Sequence, residues 1–127
     1  MHLKYADLGI LILRLQTGIL LMTHGVPKLM RFTERMENFA DPFGLGSPIS
    51  LGLVVFAEVF CSLMLIFGWK VRWATIPIII TMLVIIFYAN WDDPFGRKEL
   101  PIMFLGCCAV LLLVGPGKYS LDGGFKT

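Results

Sequence analysis

Four apolar runs divided by short polar connections leave this 127-residue chain few folds to choose from. A helix rising 1.5 Å per residue crosses the roughly 30 Å hydrocarbon layer with about 20 apolar residues. The runs are Leu8–Leu29, Ser50–Gly68, Trp73–Ala89 and Glu99–Val114. Lipid cannot hydrogen-bond a backbone, so a crossing segment has to satisfy its own N–H and C=O groups as a helix. The reading is an all-α, integral-membrane four-helix bundle forming a single domain over residues 1–127. Hydrophobic residues at 57% and a mean hydropathy of +0.78 exceed what a soluble domain carries. A chain this short has no room for a soluble catalytic domain beside its spans. The net charge of +2 is small and its basic residues are scattered, which argues against nucleic acid as a partner.

The ends of the runs carry their own signals. Pro77 falls in the first turns of the third, where a missing amide matters least. The fourth opens with Glu99 and Pro101 and stops at Gly115-Pro116-Gly117. It is short, so it is expected to begin earlier or to sit low in the bilayer. Arg14 and Gln16 interrupt the apolar stretch that a cleavable signal peptide needs. The link Trp69-Lys70-Val71-Arg72-Trp73 is tight, making the second and third helices antiparallel neighbours, with tryptophans and cations suited to an interface. The Met30–Pro48 connection is longer, with a short interfacial helix expected around Glu34 and Arg35 before the turn Asp41-Pro42-Phe43-Gly44. Asp93-Pro94-Phe95-Gly96 repeats that turn on the same side of the membrane, which we read as coincident turn chemistry. Basic residues divide almost evenly between the two faces, and the termini are placed on the cytoplasmic side.

Function has to be sought among the ionisable groups inside the runs, each of which costs roughly 2.5–3.5 kcal/mol to insert. Arg14, His24 and Lys28 lie in the first run and Glu58 near the middle of the second. At 100° per residue Arg14, Thr17, Leu21, His24 and Lys28 share one stripe, while Gln16 points away. Gly18 and Gly25 flank the stripe, where small residues let a neighbouring helix approach. Glu58 is the available counter-charge. Arg14 lies roughly 10 Å in from the terminal side, so a deep Arg14–Glu58 pair is expected, with His24, Lys28 and Glu99 in a shallower layer. These five residues are expected to line one polar cavity opening toward the Met30–Pro48 and Asn90–Lys98 connections. A purely structural reading competes: the ion pair fixes helix register, Lys28 snorkels to the headgroups, and His24 is a hydrogen-bonded interior histidine.

Cys61, Cys107 and Cys108 all fall inside spans, at a spacing that is neither CxxC nor a zinc pattern. Small apolar packing is the preferred reading over thiol redox chemistry. His2 is the only other histidine, so a haem held by two intramembrane histidines is excluded, and a lone His24 makes a poor metal site. The chain shows no flavin, haem or iron–sulfur motif, so no intrinsic cofactor is expected.

His24-Gly25-Val26-Pro27-Lys28-Leu29, Glu58, the Gly68–Ala74 turn and Gly115-Pro116-Gly117-Lys118-Tyr119-Ser120-Leu121-Asp122 resemble the DoxX family over nearly the whole chain. The resemblance implies a multi-pass protein of the bacterial inner membrane. Relatives include subunits of thiosulfate:quinone oxidoreductase and a mycobacterial member associated with superoxide dismutase and a sulfurtransferase. The Met30–Pro48 connection is longer and more polar than the family's glycine-rich one. A quinone needs an apolar slot and donors for its carbonyls, which Arg14, His24 and Lys28 supply, while Glu58 or Glu99 relays protons. The implied role is a membrane subunit of a redox or thiol-stress system, expected to bind quinone in its polar cavity, with a protein partner or a second copy of itself. The alternatives are a non-catalytic assembly subunit and, as an oligomer, a small-solute or proton pathway.

Overall fold

Helix α1, Ala6–Met30, forms because a predominantly apolar segment has no other way to satisfy its backbone in lipid, and Asp7 sits favourably in its first turn. The computed structural model describes residues 5–35, 44–89 and 91–123. The fold is an all-α membrane bundle with no strand among the described residues. The four-residue helix α2, Phe32–Arg35, follows α1 where the Glu34–Arg35 signal placed a short helix. Helix α3, Ser47–Phe67, begins with Pro48 in its first turn. Helix α4, Val71–Tyr88, and helix α5, Glu99–Val114, complete the bundle. The Asp41-Pro42-Phe43 part of the first expected turn lies outside the described residues. The second copy ends in a short 3-10 turn, Phe95–Arg97, that leads into α5.

Helices α1, α3 and α4 are long and apolar enough to cross a membrane. The 16 residues of α5 rise only about 24 Å, short of the roughly 30 Å layer. The helices follow one another around the bundle as α1, α3, α4, α5 and back to α1. Leu21, Ala57, Cys61, Leu65, Ile78, Met82, Phe104 and Leu111 meet at its centre. Ile12, Ile19, Phe56, Phe60, Trp73, Ile80 and Phe87 are exposed, as side chains that face lipid should be. Lipid tails are as apolar as leucine, so association rests on close packing and polar contacts. Gly18 supplies one such contact: a Cβ there would lie 2.7 Å from Ile66 Cγ1 and 2.9 Å from the Ser62 carbonyl oxygen.

The terminal end of the bundle is tied by polar groups bonded to backbone. Gly68, at φ 72°, lets its own N–H and that of Trp69 return to the Leu65 and Met64 carbonyls, closing α3. Three residues later α4 begins, and Asp122 from the tail accepts the N–H groups of Lys70 at 2.8 Å and Val71 at 3.0 Å. The tail itself donates from Leu121 to Phe67 and from Asp122 to Gly68. Arg72 Nε donates to the Leu112 carbonyl at 3.1 Å near the end of α5. The Gly115–Asp122 motif is thus the strap that closes α3, opens α4 and ties the tail to Asp7 through the Lys118 N–H.

Candidate functional site

Gly25 determines where α1 and α3 touch at the other end. A Cβ on it would lie 2.7 Å from Glu58 Cβ and 2.9 Å from the Glu58 carbonyl carbon, so any larger residue would hold the backbones apart. Glu58 is carried on a π turn, Phe56–Phe60, inside α3. Such single wide turns shift the phase of the side chains beyond them and recur at functional sites. Lys28 lies one turn past Gly25 on the same face of α1, so its ammonium reaches back over the contact. Lys28 Nζ donates to Glu58 Oε1 at 2.6 Å, with Glu58 2% and Lys28 21% exposed. The pair is charge-assisted, and Lys28 also sits well in the last turn of α1, where the helix dipole is negative.

The second carboxylate oxygen, Glu58 Oε2, is one of three buried polar atoms without a hydrogen-bond partner among the described residues, with Arg14 Nε and Thr17 Oγ1. It is the only one of the three whose residue lines the cavity beside this pair. A buried acceptor left unsatisfied costs about 1–3 kcal/mol, which a ligand donating to it would recover. The pair borders a cavity of about 70 Å³. His24, Lys28 and Glu58 form its polar side, and Leu21, Met82, Pro101 and Phe104 part of its apolar side. His24 is exposed and sets its ring edge-on to Phe104, with centroids 6.0 Å apart.

The expected Arg14–Glu58 pair is replaced by Lys28–Glu58. Arg14 is fully buried but at the terminal end, where it donates to the Leu65 carbonyl at 2.9 Å, to Ile66 at 3.4 Å and to Tyr119. The last carbonyls of a helix lack intrahelical donors and carry its negative pole, so a guanidinium there needs no carboxylate. The depth argument failed because it aligned the span ends. The glycine contacts fix the register instead, setting residue 25 against 58 and residue 18 against 62 and 66. Glu99, at the start of α5, is exposed and does not line the cavity. The cavity therefore joins three of the five residues singled out from the sequence and leaves Arg14 and Glu99 outside.

Phe104 and Pro101 were not foreseen as part of the site, because nothing in an apolar run distinguishes a cavity wall from a lipid-facing residue. Lys28 becomes the partner of Glu58 once the packing of Gly25 is known. It shares a face with Gly25, and whatever that glycine packs against falls within its reach. Cys61 and Cys108 are free thiols in the core, and Cys107 is free and half-buried. Among the described residues no three His, Cys, Asp or Glu side chains gather as a metal site would require.

The family model for DoxX matches residues 9–91, from the first turns of α1 to just beyond α4, including Gly25, Lys28 and Glu58. The chain belongs to the DoxX family. It is also 29% identical over 122 residues to a Bacillus subtilis (strain 168) protein named "Putative oxidoreductase CatD", covering 94% of this chain and 88% of the relative. No solved structure matches it. Family membership agrees with the apolar helices in making this DoxX chain a membrane protein in contact with the bilayer.

Proposed function

We propose that this DoxX protein is a subunit of a redox or thiol-stress system in the bacterial inner membrane, and that its Lys28–Glu58 cavity receives the polar edge of a quinone head group. The observation that carries the reading is a buried ion pair bordering a small cavity between helices, where Lys28 can donate to a quinone carbonyl and the unused acceptor Glu58 Oε2 can accept from the hydroxyl of the reduced quinol. Lys28 retains donors beyond the one given to Glu58, His24 adds an imidazole, and Phe104 offers an aromatic face. Size limits the pose. An apolar cavity of roughly 150 Å³ takes up benzene, so 70 Å³ admits a carbonyl edge and not a whole ring. The ring would rest at the mouth beside His24, with its tail in lipid.

Electrons in this reading come from a protein partner, since the chain's own residues suggest no redox group. The name of the Bacillus relative, an oxidoreductase, is in keeping with such a role. The test is binding of a short-tailed quinone to the purified protein, comparing wild type with His24→Ala and with the double substitution Lys28→Met/Glu58→Gln. Loss of the largely buried Lys28 donor is worth about 1–3 kcal/mol, so the double variant should bind roughly 5- to 150-fold more weakly, and removal of the exposed His24 should weaken binding by less. Wild-type affinity in both variants, with helical content unchanged, would remove the reading.

The same ion pair favours a second reading, an assembly subunit in which Lys28–Glu58 only fixes the register of α1 on α3. That subunit would co-purify with its partner in mild detergent, and the double variant would lose the partner while wild type binds no quinone.

A further inference from the structure

Away from the Lys28–Glu58 cavity, a groove of about 200 Å³ runs down the outside of the bundle. Phe60, Leu63, Met64 and Phe67 line it, and Trp69 and Leu121 close one end. The spacing of the first four is i, i+3, i+4 and i+7, one face of α3, so the groove lies along the helix axis. Its span from Phe67 to Phe60 is roughly 10 Å. Trp69 and the exposed Trp73, Lys70 and Arg72 mark its closed end as the membrane interface, so the groove descends from headgroup level into hydrocarbon. Its exposed lining is apolar, which at hydrocarbon depth suits an apolar guest such as a lipid chain.

The cation at its upper rim gives the guest a head. Lys70 Nζ stands 5.0 Å from the centroid of the Trp69 ring, which itself lines the groove. Arg72 is committed to the Leu112 carbonyl, and Asp122 accepts two backbone N–H groups. The ammonium of Lys70 makes no ion pair among the described residues. Lys70 itself adopts φ 48° in the turn between α3 and α4, next to Trp69 of the groove. A positive charge at headgroup level over an axial apolar slot complements a lipid with a net negative headgroup and an acyl chain.

We propose that this groove binds one acyl chain of an anionic phospholipid whose phosphate is held by Lys70. The site is independent of the quinone reading. The experiment is native mass spectrometry of the intact protein released from mild detergent containing equal amounts of phosphatidylglycerol and phosphatidylcholine. Wild type should retain phosphatidylglycerol in preference. Lys70→Asn keeps the backbone N–H to Asp122 and tolerates the left-handed turn, and should reduce that preference roughly fivefold, as expected for one basic residue at an anionic surface. Leu63→Trp fills the groove from an exposed position and should lower retention of both lipids. Leu121→Trp at the upper end serves the same purpose should the first variant not fold. Equal retention of the two lipids by wild type overturns the proposal. So does retention unchanged by the substitutions, or a homodimer without lipid that Leu63→Trp dissociates.

Discussion

The two ends of this bundle bury charge in different ways. At the terminal end Arg14 bonds to the Leu65, Ile66 and Tyr119 carbonyls, while Asp122 bonds to the N–H groups of Lys70 and Val71. Each charge meets a helix end whose dipole and unpaired backbone groups complement it, and of these two side chains only Arg14 Nε, which borders no described cavity, is left without a partner. At the other end Lys28 and Glu58 are satisfied chiefly by each other, with Glu58 Oε2 left over beside a cavity. Charges spent on helix ends secure connections. A charge pair with a spare acceptor leaves a group available to a ligand, which is why the Lys28–Glu58 end is the better place to look for function.

The comparison can be broken most forcefully at Lys28. Lys28→Met leaves Glu58 buried at 2% exposure without its counter-charge, and should destabilise by about 3–5 kcal/mol in detergent unfolding. Adding Glu58→Gln should recover most of that loss. A double variant no more stable than the single would mean that the pair does not act as a unit. Arg14→Leu should cost about 2–4 kcal/mol, since it strips donors from the Leu65 and Tyr119 carbonyls, and no partner substitution at Glu58 should rescue it. Rescue by Glu58→Gln would restore the Arg14–Glu58 coupling that the geometry replaces.

Gly25→Ala adds a methyl against Glu58 Cβ and the Glu58 carbonyl carbon, and overpacking of this kind costs about 1–3 kcal/mol. It should also weaken the Lys28–Glu58 contact, detectable as non-additivity with Lys28→Met, whereas independent effects would disconnect the glycine from the pair. The smallest effect is expected at the strap. Asp122→Ala removes a side-chain cap from the start of α4, worth about 1 kcal/mol, and should leave quinone binding at the far end unchanged. A matching loss of binding would show that the two ends are coupled.

The sequence by itself determined the class of fold. Apolar runs of membrane length admit only helices in lipid, and Gly68, Gly115 and the Trp69–Trp73 link mark stops and neighbours by local backbone chemistry that needs no tertiary context, whereas Pro77, expected in the first turns, lies inside a helix that begins at Val71. It also identified Arg14, His24, Lys28 and Glu58 as costly to bury, because insertion cost depends on residue type and depth alone. Which charge meets which was settled only by the tertiary structure. Pairing depends on the relative register of α1 and α3, and that register follows from where Gly18 and Gly25 allow two backbones to touch. The π turn at Phe56–Phe60 was likewise invisible, since nothing in Phe56-Ala57-Glu58-Val59-Phe60 distinguishes a wide turn from an ordinary helical one, and an apolar Phe104 suits a lipid-facing helix as well as a cavity wall. Helical periodicity names the faces of each span, but a shift of one turn between two spans exchanges every partner, and only the packed bundle selects that shift.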